Sequence, residues 1–209
     1  MTTKNTEGKI ASFFNRESSH MEEHQKENGI PESMNEQVRA LLDEEVESVL
    51  DVGSGPGSLL LELAHGGVED LVGMDLSPEM NTIAERRLKD EGFENIKIIQ
   101  GSFLEEDLER QLEAISMHRV LCCHPNREGM LDQSMRYQPR LITLTIPRDW
   151  KILRLLVGGF GIMARLTHSF RPYIHTQRRV DQQLQKHGYQ VIKRHKGWMW
   201  VTTTYRLQQ

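Results

Sequence analysis

The chain has two cysteines in 209 residues, and they are adjacent, Cys122 and Cys123. Neighbouring thiols cannot staple a secreted scaffold and lack the C-x-x-C spacing of zinc or redox sites, so neither a disulfide framework nor a metal is expected. A long apolar run is also missing. The longest stretch, Ile152 to Leu166, is broken by Arg154 and Arg165 and holds three glycines, whereas a spanning helix needs ~20 mostly apolar residues. No charged segment followed by an apolar run opens the sequence, so no secretory leader is expected and a reducing cytoplasm is the default location. There is no internal repeat and no low-complexity linker, and aromatic residues make up 6%. No stacking surface or RNA-binding module stands out, which disfavours nucleic acid as a partner.

What is present is enough for a core: 37% of the residues are hydrophobic, which fits one domain with an appendage. The formal charge of -4 conceals a split, because residues 147 to 209 hold 12 Lys+Arg against 2 Asp+Glu and the rest hold 14 against 28. The basic end suits either an anionic partner or pairing with the acidic part of the chain itself.

Residues 1–47 are polar and Glu-rich, with Phe13 and Phe14 as anchors, and read as an arm followed by a helix from Pro31 to Leu42. From Ser48 onward short apolar runs alternate with helical segments, the pattern of βαβ units and a parallel sheet. Strands are expected at Ser48–Val52, Leu71–Met74, Ile96–Gln100, Ala114–Leu121 and Leu141–Ile146. Helices are expected at Gly57–His65, Pro78–Glu91, Leu104–Leu112 and Arg127–Met135. Residues 147–175 interrupt the alternation with a basic, apolar, lid-like insertion. A helix at Gln177–His187 and two closing strands, Tyr189–His195 and Trp198–Tyr205, complete an α/β domain over 48–209. The parallel sheet is thus expected to end in an antiparallel C-terminal strand pair.

The decisive stretch is Val49-Leu50-Asp51-Val52-Gly53-Ser54-Gly55-Pro56-Gly57, an apolar strand running into glycines that open a helix. Such a turn lets the backbone approach a ligand beyond the strand ends, and Asp75, at the end of the next strand, suits two ribose hydroxyls. A nicotinamide site wants G-x-G-x-x-G, but Ser58 stands where its third glycine would follow, and Asp51 beside a pyrophosphate would repel it. An acid there suits a ligand that carries an ammonium group.

Taken in order, Asp51-x-Gly53-x-Gly55-x-Gly57, then Gly73-x-Asp75-Leu76-Ser77-Pro78-Glu79-Met80, then Gln100-Gly101-Ser102-Phe103 resemble the motifs of class I S-adenosylmethionine-dependent methyltransferases. That resemblance implies a Rossmann-like, seven-stranded, mostly parallel sheet and S-adenosyl-L-methionine as cofactor. It places Gly53, Ser54, Gly55 and Gly57 along the methionine moiety, with Asp51 orienting the ammonium. Asp75 would hold the ribose, Leu76 would pack on the adenine, Ser102 and Phe103 would stand at the adenine amine, and His118 would line the pocket.

Methyl transfer from a sulfonium is an in-line displacement, so alignment and exclusion of water dominate, and a hydroxyl or amine acceptor gains from a base near pKa 7. Of the residues after the fourth strand, His124 is the candidate base, while Cys122 and Cys123 read as small buried residues. The insertion, with six basic residues and no acidic one from Trp150 to Val180, suits an acceptor with apolar bulk and anionic groups, or peripheral contact with an anionic membrane.

The hydrophobic insertion and the Arg171-Pro172-Tyr173-Ile174-His175 segment resemble, in layout, the magnesium-protoporphyrin O-methyltransferases; Arg171, Tyr173 and His175 are the candidate acceptor-binding residues. That family ends its fourth strand with Ile-His-Tyr-Pro where this chain has Cys122-Cys123-His124-Pro125, a one-place shift that would reverse the histidine on a strand. The expected function is methyl transfer to a small organic acceptor. The alternatives are an RNA or protein methyltransferase and a non-catalytic S-adenosylmethionine-binding protein.

Overall fold

The computed structural model describes residues 3–150 and 171–208. The elements in chain order are α1 (Thr3–Asn28), α2 (Glu32–Asp43), β1 (Ser48–Val52), α3 (Ser58–His65), β2 (Asp70–Asp75), α4 (Pro78–Asp90) and β3 (Lys97–Gln100), then β4 (Ala114–His118), α5 (Arg127–Arg136), β5 (Leu141–Pro147), α6 (Gln177–Lys186), β6 (Tyr189–Lys196) and β7 (Trp200–Leu207). They form a seven-stranded sheet in the order β3-β2-β1-β4-β5-β7-β6. The first five strands pair in parallel, and β7 inserts antiparallel between β5 and β6. This is the Rossmann-like α/β architecture with an antiparallel closing pair that the sequence implies.

The interior strand β1 is buried along its whole length, and alternation divides its side chains between two cores. Leu50 and Val52 join Ile115, Met117, Ile142 and Leu144 on one face, while Val49 joins Leu41, Leu59, Leu60 and Leu63 on the other. Helices cover each face, so the strands β1, β4 and β5 are buried on both sides. At the β5–β7 seam the polar matches are internal, with Thr143 facing Thr204 at 3.2 Å and Thr145 facing Thr202 at 2.9 Å between hydroxyl oxygens.

Strand order reverses beside β1, where β2 lies on one side and β4 on the other. Ligands of open α/β sheets bind beyond the carboxyl ends of the strands at such a reversal. The tips of β1, β2 and β4 therefore define the place to look for a site.

In the sheet domain, two expected elements differ by more than a residue or two. Leu104–Leu112 is not a helix: the Ser102 hydroxyl accepts from the Leu104 amide at 3.3 Å, setting a side-chain turn that competes with helical bonding. The α5 side then takes the backbone groups a helix would have used. Tyr137 Oη accepts from the Leu108 amide at 3.1 Å, and Gln133 Nε2 donates to the Glu106 carbonyl at 2.9 Å. The fourth strand stops at His118 rather than Leu121, and Leu121–Cys123 forms a 3₁₀ turn. Strand alternation therefore does not decide which way His124 points. Of the 147–175 insertion, residues 151–170 lie outside the described residues.

Leu60 is fully buried between α3 and the sheet. Leu60→Ala should lower unfolding free energy by about 2–5 kcal/mol in urea titration, and an unchanged midpoint would contradict this packing.

Candidate active site

The sequence of the β1–α3 turn dictates its shape. Gly53, Gly55 and Gly57 all have left-handed φ, +67°, +52° and +77°. At Gly53 a Cβ would come within 2.5 Å of Val120 Cγ2, so this turn is wedged against the residues that follow β4. At Gly55 a Cβ would meet nothing within 4 Å, and Gly55 lines a cavity of about 430 Å³. Gly57 does not line the cavity; it caps α3 and packs on Ala84, 3.1 Å from where its Cβ would be. Arg87 steadies the turn from α4 by donating to the Pro56 carbonyl and the Ser58 hydroxyl, each at 2.8 Å.

Asp51, Ser54, Asp75, Leu76, Phe103, His118 and His124 also line this cavity, as does Gly53. Asp75 Oδ2 accepts from the Gly55 amide at 2.9 Å and Oδ1 from the Ser77 amide at 2.8 Å, which locks its carboxyl at the tip of β2. Burial pushes the Asp75 carboxyl up, and these amides act against that shift. Asp51 is buried, and its Oδ1 has no hydrogen-bond partner. Burial, with a smaller push from Asp75, raises its carboxyl to about 8, while the Ser116 hydroxyl opposes the shift. A buried acid left unmatched at a ligand cavity is a receptor for a donor or a cation.

Past β4 the backbone strains. Arg119 has φ +60°, a conformation that costs a residue with a Cβ on the order of 1–3 kcal/mol. His118 Nε2 lies 3.0 Å from Ser33 Oγ, and burial together with the charge of Arg119 pushes its pKa down to about 3. His124 is buried, and its Nδ1 accepts from the Asn126 amide at 3.1 Å. A neutral ring with Nδ1 so engaged carries its proton on Nε2. Nε2 has no hydrogen-bond partner and stands 3.7 Å from Glu7 Oε1. Burial lowers the His124 pKa, against the pull of Glu7, so in this tautomer the ring presents a donor to the cavity.

The remaining candidates surround the cavity without lining it. Ser102 Oγ donates to Glu7 Oε1 at 2.6 Å. The Tyr173 amide donates to the Cys122 carbonyl at 2.7 Å, His175 Nε2 donates to the His124 carbonyl at 2.9 Å, and the two rings stack with centroids 6.3 Å apart. Arg171 is exposed and lies over the Tyr173 ring. This segment thus buttresses the turn that carries His124, and its Pro172 reaches the cavity.

The N-terminal arm that the sequence suggests is a helix, α1, and it roofs the cavity. Glu7, Ile10, Phe14, Met21 and Gln25 of α1 all line the cavity, at helical spacings of three, four and seven. Asn15 accepts from Ser77 Oγ at 2.5 Å, Gln25 accepts from Ser58, and Glu22 pairs with Arg86, so α1 is fastened across the tips of β1 and β2. Trp200, the first residue of β7, also lines the cavity, and Trp198 is 75% exposed.

The residues fit S-adenosylmethionine. Gly55 leaves space for a ligand at the turn, the orphaned Asp51 oxygen suits an ammonium group, and Asp75 offers a carboxyl at the next strand tip.

Residues 49–137 match the family model described as a methyltransferase domain. Among curated proteins, human EEF1A lysine methyltransferase 2 is 37% identical over 76 residues, 35% of this chain and 32% of that protein. The zebrafish (Danio rerio) protein of the same name is 33% identical over 81 residues, 37% of this chain and 35% of that one. The matches thus span about a third of the length of these relatives. Among solved structures, magnesium protoporphyrin IX methyltransferase from Synechocystis PCC 6803 with bound S-adenosylhomocysteine is similar, with a TM-score of 0.74 at 17% identity, over 95% of this chain and 98% of that one. So is 1,6-didemethyltoxoflavin-N1-methyltransferase from Burkholderia thailandensis, with a TM-score of 0.75 at 14% identity, over 100% of this chain and 92% of that one.

Residues 49–137 match a methyltransferase domain, the fold is one that S-adenosylmethionine-dependent methyltransferases share, and the cavity at the strand tips fits that cofactor. Within that class, the structural likeness to the magnesium-protoporphyrin and toxoflavin enzymes is one of fold, and the likeness to the lysine methyltransferases is confined to about a third of the chain.

The unfolded chain protonates histidine near pH ~6.5, whereas the native state holds His118 neutral down to about 3. Across that window the unfolded state binds the extra proton, so stability falls as pH falls. His118→Gln should flatten this acid limb by up to one proton in urea unfolding at stepped pH. An unchanged slope would contradict the buried neutral ring.

Proposed function

We propose that the chain transfers a methyl group from S-adenosylmethionine to a small organic acceptor that is largely apolar and carries an anionic group. The observation that carries this reading is the cavity itself: among the described residues it is roofed by α1, walled mainly by apolar side chains, and holds Asp51 with an unmatched oxygen at the glycine turn. In its binding roles, Asp51 takes the ammonium, Gly53, Ser54 and Gly55 carry the backbone past the methionine chain, and Asp75 takes the ribose hydroxyls. Gly57 and Ser58 shape the turn, while Leu76, Ser102 and Phe103 border the adenine.

When bound, the cofactor would supply an electrophilic methyl on a sulfonium, with the neutral thioether as leaving group for an acceptor's lone pair. The chain's part is alignment and exclusion of water. His124 presents Nε2–H to the acceptor, holding an oxyanion in place; in this tautomer it acts as a base only if the Asn126 bond is given up. An anionic oxygen acceptor needs no base. Tyr173, His175 and Arg171 support the His124 turn from outside, and His118 stays neutral beside the cofactor pocket.

A protein lysine acceptor is the second reading, supported by the match to the EEF1A lysine methyltransferases. Incubation with tritiated cofactor and separate small-acid and protein pools distinguishes the two. Label in the protein pool alone would overturn the small-acceptor reading.

Two binding outcomes test the cofactor placement. Below about pH 8 Asp51 holds its proton, and pairing with an ammonium favours the ionised form. Cofactor binding at pH 7 should therefore release up to one proton, and affinity should rise with pH toward 8. Calorimetry of S-adenosylhomocysteine in buffers of different ionisation enthalpy reads this directly, and zero release would place the ammonium elsewhere. Asp75→Ala should weaken S-adenosylhomocysteine about tenfold to a hundredfold, and unchanged affinity in a folded variant would contradict the ribose role.

A further inference from the structure

Arg119 is the one arginine or lysine among the described residues that line the cavity. Its guanidinium lies over the Trp200 ring, with Cζ 4.3 Å from the centroid. One of its five N–H groups has a described partner, Nη2 donating to Ser33 Oγ at 3.2 Å. Nε is buried and has none.

Ser33 Oγ also lies 3.0 Å from His118 Nε2, so it is shared with that ring and carries no charge to balance the guanidinium. The acidic group whose charge acts on Arg119 is the Cys122 thiol, and no described carboxylate lies within ion-pair distance. A half-desolvated cation with spare donors and no counter-ion is incomplete. Its neighbour Val120 is wedged against Gly53, which fixes the arginine beside the glycine turn and hence near the orphaned Asp51.

We propose that Arg119 is a carboxylate receptor, a specificity residue that binds the carboxylate of a ligand in this cavity through its guanidinium fork. A planar fork matches a carboxylate in two-point contact. The nearby acids Asp51 and Asp75 disfavour a doubly charged phosphate in the same space. Two sources present this chemistry: the amino-acid end of the cofactor, whose ammonium would then meet Asp51 while its carboxylate meets Arg119, and the methyl acceptor. The first source rests on the cofactor reading given above; the second requires only the cavity.

The test is titration of S-adenosylhomocysteine, methylthioadenosine and 2-naphthoate into the wild-type chain, Arg119→Met and Arg119→Lys, with folding checked by thermal unfolding. Methylthioadenosine keeps the nucleoside thioether and lacks the amino-acid end. If the cofactor is the source, Arg119→Met weakens S-adenosylhomocysteine at least tenfold, leaves methylthioadenosine unchanged, and Arg119→Lys recovers part of the loss. If the acceptor is the source, S-adenosylhomocysteine binds all three proteins alike. Naphthoate then binds the loaded wild type saturably and loses at least tenfold in Arg119→Met. Folded variants that match the wild type for both S-adenosylhomocysteine and naphthoate would overturn the proposal. Failure of S-adenosylhomocysteine to bind the wild type would overturn the cofactor reading, and naphthoate binding to the unloaded proteins would then decide the role of Arg119 alone.

Discussion

An acid buried with an unmatched oxygen is costly, and the fold holds one in the sheet's interior. Asp51 lies on an interior strand, paired in register with Gly73 on one side and Ser116 on the other. Neither neighbour brings a counter-charge, so the acid keeps its proton until a cation arrives or the pH rises to about 8. The turn that follows has to leave the strand at once, because its glycines are pinned by left-handed φ and by Val120 pressing on Gly53. The cavity, the strained Arg119 and the seat of α1 all follow from that sharp exit.

Polarity in the cavity is divided by element. Acids come from the tips of β1 and β2 and from Glu7 of the roof, while His118 ends β4 and Arg119 and His124 come from the segment after it. His118 and His124 are both kept neutral by burial, which leaves Arg119 as the positive charge among the described lining. A ligand with an ammonium at one place and a carboxylate at another, or two ligands that divide those charges, matches this layout better than a uniformly charged one.

The parallel sheet and its closing pair were legible because buried β runs alternate with amphipathic helices, and the glycine turn was legible because few other residues tolerate its conformation. Five strands, β2, β3, β5, β6 and β7, differ from expectation by a residue or two at their ends, where local propensity is weakest. Leu104–Leu112 misled because its helical composition was real, yet Gln133 and Tyr137, distant in sequence, captured its backbone groups. The α1 helix of the roof was hidden for the opposite reason. Its inward stripe includes Glu7, Ser18 and Gln25, polar residues that meet Ser102, the helix's own backbone and Ser58, so hydrophobicity alone does not reveal it. The spacing of Glu7, Ile10, Phe14, Met21 and Gln25 was the available signal. His124 was legible as a cavity residue, whereas its donor role depends on the Asn126 amide and needed coordinates.

A crystal structure with S-adenosylhomocysteine tests the central claim most directly. The account predicts the ammonium within hydrogen-bond distance of Asp51 or of a water on its free oxygen, the ribose hydroxyls on Asp75, and the thioether beneath α1 facing His124. A nucleoside bound outside the β1–β2–β4 tips, or an amino group directed away from Asp51, would contradict it.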